Sequence, residues 1–373
     1  MVGTIAHVSD LQEARTVAIV GAGLIGTSIA LASTARGHRV LLDDVDAKTL
    51  EAAMSISGAQ HYTGQPCHIA VVAVPPSSVA RVVTGVLRSG SARTVTDTAS
   101  VKTSLQRAVR EQSGAGAHRY VGGHPLAGRE RSGPHAARAD LFAGRPWVVT
   151  PDARVDEEAV RDVEWLATAC GAVPVRLSAE EHDHAVAVTS HLPQLVASAL
   201  AAQLADESDS VLGLVGQGMR DTTRLASSDA GMWAEIAASN ARAVALALEG
   251  FMATLGDAQQ ALAQSGVAAS DAVHGLVSAG NAGRRRMPGK HGGEPRVFRA
   301  VPVIVRDQPG ELARLFGDAA GAGVNIEDVR VDHAPGLPVG LIELYVAQDA
   351  EARLTEALAQ RGWSMTSAGS EEP

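Results

Sequence analysis

The sequence predicts an α/β protein with a doubly wound parallel sheet, followed by an all-helical domain and a small ferredoxin-like domain of order βαββαβ. Three observations predict this organisation. A β-branched run leads through a glycine-rich turn into an Ala-rich helical stretch, long helical runs follow, and short apolar segments alternate with helical ones near the end. A chain of 373 residues is long enough for two or three domains of about 150 residues each.

The first part of the chain has the pattern strand, glycine turn, helix, strand, which is the βαβ unit of a parallel sheet. Strands are predicted over residues 16–20 and 38–42, with a helix over 24–35 between them. Apolar runs without polar alternation are typical of strands covered by helices on both faces. Such runs follow at 69–74, 94–96 and 146–149.

The glycine turn has the sequence GAGLIG, from Gly21 to Gly26. In a dinucleotide site Gly21 would permit the tight turn, Gly23 would let the backbone approach the pyrophosphate, and Gly26 would allow the helix to pack on the strand. The phosphates would then bind at the start of the helix, beside Leu24 and Ile25. The sequence therefore predicts a dinucleotide site at this turn.

Asp44 follows Gly26 by eighteen positions, near the spacing at which an acidic side chain meets the cofactor ribose. A carboxylate accepts a hydrogen bond from a free 2′-hydroxyl and repels a 2′-phosphate. NAD is therefore favoured over NADP, although Lys48 could weaken this preference. Val74 and Pro75 are expected at the carboxyl edge of a central strand, where doubly wound sheets bind their ligands.

The pattern becomes helical in period near residue 178. One run covers 179–204, with Pro193 expected to kink it or to mark a first turn, and another extends from about 229 to 264. After a Gly-, Pro- and Arg-rich linker, strand and helix patterns alternate to the end. The predicted divisions are an extension over 1–15, the sheet domain over 16–178, the helical domain over 179–279, the linker over 280–296, the ferredoxin-like domain over 297–368 and a tail over 369–373.

Composition limits the class of protein. The net charge is −9 and aromatic residues make up 3%, so the clustered cations and stacking platforms typical of nucleic-acid or membrane-surface binding are not expected. Cys67 and Cys170 supply neither a disulfide framework nor a zinc set. With no secretion signal and no 18-residue apolar run, we expect a cytoplasmic protein.

Three segments carry groups suited to oxidation of an anionic alcohol: 122–133, 190–193 and 220–224. Hydride transfer from a carbinol needs a group that takes the hydroxyl proton, and histidine titrates near neutral pH. His124 is the candidate for this role. A substrate carboxylate needs a forked cationic donor, for which Arg224 is the candidate.

The combination of GAGLIG, VPP, TDTASVK, GGHPLAGRERSG, SHLPQ and MRDTTRLASSDAGMW closely resembles the prephenate dehydrogenase family, which also contains arogenate dehydrogenases. The resemblance runs from about residue 17 to 265. It implies a Rossmann-type domain, a helical dimerisation domain that forms a homodimer, and an active site between them. It also implies oxidative decarboxylation of prephenate to 4-hydroxyphenylpyruvate, or of arogenate to tyrosine, with NAD or NADP.

The resemblance also implies roles for individual residues. His124 is similar to the catalytic histidine that hydrogen-bonds the ring hydroxyl, and Ser100 to the residue that orients it near the nicotinamide. The residues implied to contact the substrate or its polar surroundings are Arg224, His191, Glu130, Arg220 and Asp221. Arg129 and Gln194 depart from the common pattern, the latter replacing a second histidine, and they leave side-chain specificity open.

The segments RDQPGELARL, from residue 306, and GVNIE, from residue 323, resemble the ACT domain, a small amino-acid-sensing fold. Gly310 could expose backbone N–H groups to a ligand carboxylate, and Asn325 lies in the following turn. The resemblance implies paired domains that bind an aromatic amino acid, tyrosine in a feedback role. An added dimerisation module without ligand is the alternative.

Other functions stay open at this point. A related β-hydroxyacid or imine dehydrogenase would share the two-domain plan, and a non-catalytic amino-acid sensor could bind NAD structurally. His182 and His184 suggest a metal pair, but residues two apart on a helix face different directions and no third ligand is nearby. No metal site is therefore predicted.

Overall fold

The computed structural model describes residues 14–127, 132–264, 266–287, 298–333 and 339–365. The chain divides into two compact units, Met1–Met252 and Ala253–Pro373. The division falls within the helix over residues 241–264 rather than at a predicted domain boundary.

An eight-stranded sheet forms the centre of the first unit, in the order β3-β2-β1-β4-β5-β6-β7-β8. All neighbouring pairs are parallel except β6 and β7, which are antiparallel. The strands are β1 (Thr16–Val20), β2 (Arg39–Asp43), β3 (Gln60–His61), β4 (Cys67–Val72), β5 (Ala92–Asp97), β6 (Tyr120–Pro125), β7 (Pro146–Thr150) and β8 (Val173–Arg176).

Helices surround this sheet and continue beyond it in the chain. Those that alternate with the strands are α1 (Leu24–Ala35), α2 (Ala47–Ser57), α3 (Pro76–Ser89), α4 (Thr103–Ser113) and α5 (Glu157–Ala169). The helical region then contains α6 (Ala179–Val186), α7 (Leu192–Ala202), α8 (Asp209–Leu212), α9 (Gln217–Thr223), α10 (Ala230–Ser239), α11 (Ala241–Gln264) and α12 (Gly266–Arg285).

Alternate side chains of the central strands enter two separate apolar clusters. Val17 and Ile19 of β1 belong to one cluster, and Ala18 between them belongs to the other. Ile69 and Ala70 of β4 divide in the same way. Both faces of the sheet are therefore covered, as the unalternating apolar runs predicted. The predicted strand over 16–20 is confirmed, and so is the helix predicted from residue 24 to about 35.

The predicted helix over 179–204 is broken into α6 and α7 by a π-helical turn at Ala187–His191. Pro193 lies in the first turn of α7, directly after the π turn, and its ring supplies no N–H to the helical hydrogen bonds at this point. The run predicted from 229 to 264 is also broken, at Asn240, which ends α10. Such π turns frequently occur at functional sites.

Within the helical region, the stretch Ala179–Ala202 has the length and apolar composition of a membrane-spanning helix. It also contains His182, Asp183 and His191, which are buried in the first unit. Ionisable side chains are rare within membrane-spanning segments.

The linker prediction is wrong for residues 280–285, which continue α12. Arg284 and Arg285 occupy its last turn, where positive side chains interact favourably with the helix dipole. Composition alone misplaced this boundary because the glycines of this segment are tolerated inside a helix. Residues 288–297 lie outside the described part of the chain.

The second unit contains a four-stranded antiparallel sheet of order β10-β11-β9-β12. Its elements follow in the predicted order βαββαβ: β9 (Phe298–Arg306), α13 (Glu311–Gly321), β10 (Asp328–His333), β11 (Val339–Ala347), α14 (Glu351–Gln360) and β12 (Ser364–Met365). Leu315 of α13 and Leu354 of α14 pack on Val303 and Leu344 of the sheet in one apolar cluster. This cluster gives the small sheet a core of its own.

Candidate active site

The glycine turn lies at the carboxyl edge of the sheet, between β1 and α1. Gly21 has a φ of +108°, and a Cβ there would lie 2.3 Å from the carbonyl oxygen of Ala73. A Cβ at Gly26 would lie 1.8 Å from the carbonyl oxygen of Gly21, whereas a Cβ at Gly23 would have no atom within 4 Å. Gly21 and Gly26 therefore permit close packing, and Gly23 leaves open space above the turn.

The start of α1 is suited to an anion. Gly23 occupies the position before the helix, and no side chain caps the N–H groups of its first turn. Leu24 and Ile25 begin the helix there, so their backbone N–H groups are available to a diphosphate. These residues fit a dinucleotide, as the sequence predicted.

Asp44, just beyond β2, is half-buried beside the glycine turn. One carboxylate oxygen accepts a hydrogen bond from Ala22 N at 2.7 Å, and the other accepts one from Asp46 N at 2.9 Å. The carboxylate thus links the glycine turn to the segment after β2. Lys48 instead lies in the first turn of α2, where its backbone N–H donates to Asp46.

Val74, Pro75 and Ser100 also follow strands at this edge. Val72 of β4 pairs with Val20 of β1 and with Asp97 of β5, so the three strand ends are adjacent. Ser100 is half-buried and lines a small cleft with Pro76, Ser104 and Leu105 on one side and Ile236 and Ser239 of α10 on the other. The helical region therefore approaches the dinucleotide edge at Ser100.

His124 lies near the end of β6, which is parallel to β5 and so ends at the same edge. Its Nδ1 lies 2.8 Å from Nε2 of His182, and the two rings meet edge to face with centroids 5.1 Å apart. Among the described residues, no hydrogen bond joins Ser100 to His124. The side chain that contacts the His124 imidazole at hydrogen-bond distance is that of His182.

Asp183 lies behind His182. The Nδ1 of His182 lies 2.9 Å from Oδ1 of Asp183. The same Oδ1 accepts a hydrogen bond from the backbone N–H of Lys102 at 2.8 Å, and Oδ2 accepts one from that of Thr103, also at 2.8 Å. His182 and Asp183 are both buried, whereas His184 is exposed. The histidine pair of the sequence is therefore split between the site and the surface.

Burial and neighbouring charge set the protonation of these groups. Burial, followed by the positive charges that His182, Lys102 and His191 can carry, holds the pKa of His124 well below its usual value, although Asp183 acts in the opposite direction. Burial raises the pKa of Asp183, but the hydrogen bonds from His182, Lys102 and Thr103 outweigh it and lower the pKa overall. At neutral pH His124 is a neutral imidazole and Asp183 a carboxylate.

A buried ion pair lies beneath His124. The Lys102 ammonium donates to Oδ1 of Asp97 and, at 2.7 Å, to the carbonyl oxygen of Gly123, directly before His124. The Tyr120 hydroxyl donates to the other Asp97 oxygen at 2.7 Å. A Cβ at Gly123 would lie 2.6 Å from the Asp97 carbonyl oxygen. Glycine at this position lets β6 lie close enough for Lys102 to reach it.

His191 is buried at the end of the π turn. Its Nδ1 lies 3.4 Å from Nδ2 of Asn240, which donates to the carbonyl oxygen of Asp183 at 2.8 Å. The His191 ring meets that of Trp233 edge to face with centroids 6.0 Å apart. Burial lowers the pKa of His191, with Asp183 opposing and His182 adding to the effect. Asn240 therefore ties α6, the π turn and the start of α11 together.

Arg220, Asp221 and Arg224 are exposed on and just after α9. Asp221 accepts a hydrogen bond from Gln217, and Arg224 has no ion pair within the described ranges. Among the described residues, therefore, no carboxylate occupies the exposed Arg224 guanidinium. Glu130, the remaining predicted substrate contact, lies outside the described residues.

Gln194 is buried in α7 and holds the segment after Arg224. Its Nε2 donates to the carbonyl oxygen of Leu225 at 2.8 Å, and its Oε1 accepts from the Ser228 hydroxyl at 3.3 Å. The glutamine that replaces the second histidine of the motif thus contacts the backbone next to Arg224.

The sequence indicates that the turn around His182 partly faces the active cleft, but it assigns no role to His182, Asp183, Lys102 or Asp97. Two signals were available. TDTASVK places an acid and a lysine beside a strand end where both would be buried, and the acidic first turn of α6 carries a histidine next to an aspartate. Neither signal indicates which distant side chain these groups contact.

Two family models match consecutive stretches of this chain. The model described as prephenate dehydrogenase, nucleotide-binding domain, matches residues 29–176, and the one described as prephenate dehydrogenase, dimerization domain, matches 178–272. A probable prephenate dehydrogenase, NovF, of Streptomyces niveus is 37% identical over 365 residues, which cover 95% of this chain and all of that protein. The prephenate dehydrogenase of Bacillus subtilis is 26% identical over 92% of this chain and 95% of its own length.

Solved structures are similar over about three quarters of the chain. Prephenate dehydrogenase from Aquifex aeolicus, in complex with hydroxyphenyl propionate and NAD⁺, has a TM-score of 0.64 at 27% identity and covers 73% of this chain and 96% of that one. Synechocystis arogenate dehydrogenase has a TM-score of 0.63 at 26% identity and covers 72% and 98%. Because the two family models match consecutive stretches of the chain and NovF is 37% identical over 95% of it, the chain belongs to the prephenate dehydrogenase family of NAD-dependent oxidoreductases.

Proposed function

We propose that this protein catalyses the NAD-dependent oxidative decarboxylation of prephenate to 4-hydroxyphenylpyruvate, in the biosynthesis of tyrosine, with His124 as the proton acceptor. The observation that carries the proposal is the position of the neutral, half-buried His124 imidazole. It lies at the same sheet edge as the glycine turn before α1, where no side chain caps the first N–H groups of the helix. A base of this kind, beside a dinucleotide site, suits removal of a hydroxyl proton during hydride transfer.

In this reaction the hydroxyl proton of the substrate goes to His124, and the carbon that carried the hydroxyl becomes a carbonyl. NAD⁺, when bound, supplies the acceptor for the hydride from that carbon. The ring carboxylate then leaves as carbon dioxide, and the electron pair of the broken C–C bond makes the ring aromatic. The protein mainly positions the dianionic substrate and holds one proton.

The substrate carboxylates need cations, and Arg224 is proposed to bind one of them. Its guanidinium has no ion pair within the described residues, and Gln194 holds the backbone next to it. Arg220, Asp221, His191 and Glu130 are proposed to complete the polar surroundings of the substrate. Ser100, in the cleft next to α10, is proposed to lie near the nicotinamide.

The roles of His124 and Arg224 are tested by steady-state kinetics on two variants. In His124→Asn we expect kcat to fall about 10²- to 10⁴-fold with little change in KM, because only a transition-state interaction is lost. In Arg224→Ala we expect KM to rise roughly 10- to 100-fold, the effect of losing a charged hydrogen bond of about 1.5–3 kcal/mol.

The control for both variants is His274→Asn. His274 is exposed on α12, and its replacement should leave kcat and KM unchanged. Wild-type turnover by His124→Asn would show that another group takes the proton, and the proposed base would be wrong.

Arogenate dehydrogenase activity, forming tyrosine directly, is the second candidate. It is favoured by the likeness to the Synechocystis enzyme and by Gln194, which stands where the family motif often has histidine. Initial rates with prephenate and with arogenate, each with NAD⁺ and with NADP⁺, decide between them. A protein that formed no NADH from either substrate would instead fit a related β-hydroxyacid or imine dehydrogenase or an NAD-binding sensor.

We infer that the protein is cytoplasmic, since Cys67 and Cys170 are both free and buried.

We also infer that it is a homodimer that associates through its helical region. Within the described residues of α11, only Val244 and Ala258 are buried apolar side chains. A long helix that buries so little of its own apolar surface requires a partner. The family model over 178–272 describes a dimerization domain.

The C-terminal sheet is proposed to be an ACT domain that binds an aromatic amino acid, with tyrosine as feedback inhibitor. Its strand order and the left-handed conformation of Gly310 before α13, with a φ of +95°, support the proposal. Asn325, the other proposed contact, donates to Glu327. Calorimetric titration of the full-length protein with tyrosine tests it, and Gly310→Val should abolish the heat of binding while leaving basal kcat unchanged.

A further inference from the structure

We propose that His182 and Asp183 set the protonation of His124: they keep a hydrogen on its Nδ1, leave its Nε2 as the proton acceptor, and stabilise the imidazolium that forms. This inference rests on the proposed role of His124 as the base. It assigns His182 and Asp183 as positioning residues that act through His124 rather than through the substrate.

The argument begins at Asp183, because its hydrogen-bonding direction is fixed. Its two oxygens accept from the backbone N–H groups of Lys102 and Thr103, each at 2.8 Å. A carboxylate in this position can only accept, so the hydrogen between it and His182, 2.9 Å away, must lie on Nδ1 of His182.

The next step is the contact between the two imidazoles. A neutral His182 with a hydrogen on Nδ1 has a lone pair on Nε2. This lone pair lies 2.8 Å from Nδ1 of His124, a distance at which two lone pairs would repel. The hydrogen must therefore lie on Nδ1 of His124. The remaining nitrogen, Nε2, has a lone pair and can accept the substrate proton.

Charges around His124 decide how well it can hold that proton. On the strand next to β6, the Asp97 carboxylate is paired with the Lys102 ammonium. The Lys102 charge in turn disfavours a second positive charge on His124. His182 of α6 and His191 of the π turn act in the same direction when protonated. Asp183 is the neighbour that favours the imidazolium, and it acts through the hydrogen on His182.

Steady-state kinetics on His182→Leu test the contact between the imidazoles. Leucine fills a similar volume but cannot accept from His124, so the unreactive tautomer becomes populated. We expect kcat to fall about 10²-fold, within the range contributed by a positioned base, with KM within about threefold of wild type. His182→Gln, whose amide oxygen can accept, should recover part of the loss.

The matched control is His184→Leu, two positions along the same helix and exposed, which should behave as wild type. Unchanged kcat in His182→Leu, together with an inactive His124→Asn, would overturn this inference and leave the proposed function standing. An active His124→Asn would instead remove the proposed function itself.

The pH profile of Asp183→Asn separates this role from a structural one. Removing the carboxylate removes the charge that favours the His124 imidazolium, so the pKa of His124 falls further. The acid limb of the pH profile of kcat/KM should therefore move to lower pH, and the plateau value of kcat/KM should fall. A purely structural role would lower the plateau without moving the limb, and that result would contradict the proposal.

A direct reading comes from the imidazole nitrogens of the ¹⁵N-labelled protein by NMR, with His124 and His182 assigned through their variants. We expect both to carry hydrogen on Nδ1 at neutral pH. A hydrogen on Nε2 of His124 would overturn the inference regardless of the kinetics.

Discussion

Lys102 has no exposed side-chain surface, and its ammonium is held between Asp97 and the carbonyl oxygen of Gly123. Burial lowers the pKa of Lys102, and the Asp97 charge opposes this effect. The backbone N–H of the same residue donates to Asp183. One residue therefore connects β5, the strand that carries His124, and the helix that carries His182.

Replacing Lys102 with methionine should destabilise the protein strongly, because Asp97 would be left buried and unpaired. Breaking a buried ion pair by removing one partner costs about 3–5 kcal/mol. We expect this decrease in the free energy of urea unfolding, measured by circular dichroism. The double variant Lys102→Met with Asp97→Asn should recover part of it, whereas an unaltered stability in the single variant would show that the pair is not buried as described.

At the scale of elements, the site depends on where helices begin and break. Asn240 ends α10, and its side chain donates to the carbonyl oxygen of Asp183. The π turn at Ala187–His191 places His191 beside Asn240 and allows α7 to start directly after it. α7 then carries Gln194, which reaches Leu225. These hydrogen bonds, together with the short stretch of chain between His191 and Gln194, join the segment after Arg224 to Asp183.

Gln194→Ala should loosen that segment without touching His124. We expect KM for the substrate to rise and kcat to change less, because the carboxylate-binding Arg224 loses its support while the base is intact. Kinetics with the preferred substrate measure the effect. Gln203→Ala is the matched control, since Gln203 is exposed at the end of α7 and its side chain donates to the carbonyl oxygen of Ala199 in the same helix. An equal rise in KM in both variants would contradict the proposal that Gln194 supports Arg224.

At the scale of the whole molecule, α11 carries an apolar face that the described chain does not cover. Met252, Leu255 and Leu262 are exposed by 67%, 46% and 54% and lie on one side of the helix. Three large apolar side chains on one helix face indicate an interface, which agrees with the dimerization domain matched over this region.

Substituting glutamate at both Leu255 and Leu262 should dissociate the proposed homodimer, because two carboxylates would lose their hydration at the interface. Sedimentation velocity should then give a monomer of about half the wild-type mass. Gln260→Glu adds the same charge to another face of α11 and should remain dimeric. A wild-type sedimentation coefficient for the double variant would place the interface elsewhere.

The sequence predicted the fold well where local rules suffice. The glycine turn and α1 were placed to the residue because a positive φ at Gly21 and the helical period are properties of neighbouring residues. At Asn240, where a tertiary contact ends α10, the apolar periodicity of the sequence continues and predicts one uninterrupted helix. The linker was misplaced over 280–285 for the converse reason, since composition does not report whether a glycine-containing segment stays helical.

By itself the sequence determined the family, the dinucleotide turn and the identity of the proposed base, because each depends on short motifs that recur as units. Only the tertiary structure decided what surrounds that base. His124 and His182 are 58 residues apart in the chain, and Lys102 and Asp183 are 81 apart. No local pattern specifies which distant side chain will meet another inside a packed core, so the neighbours that govern the protonation of His124 emerge only when the sheet and helices are assembled.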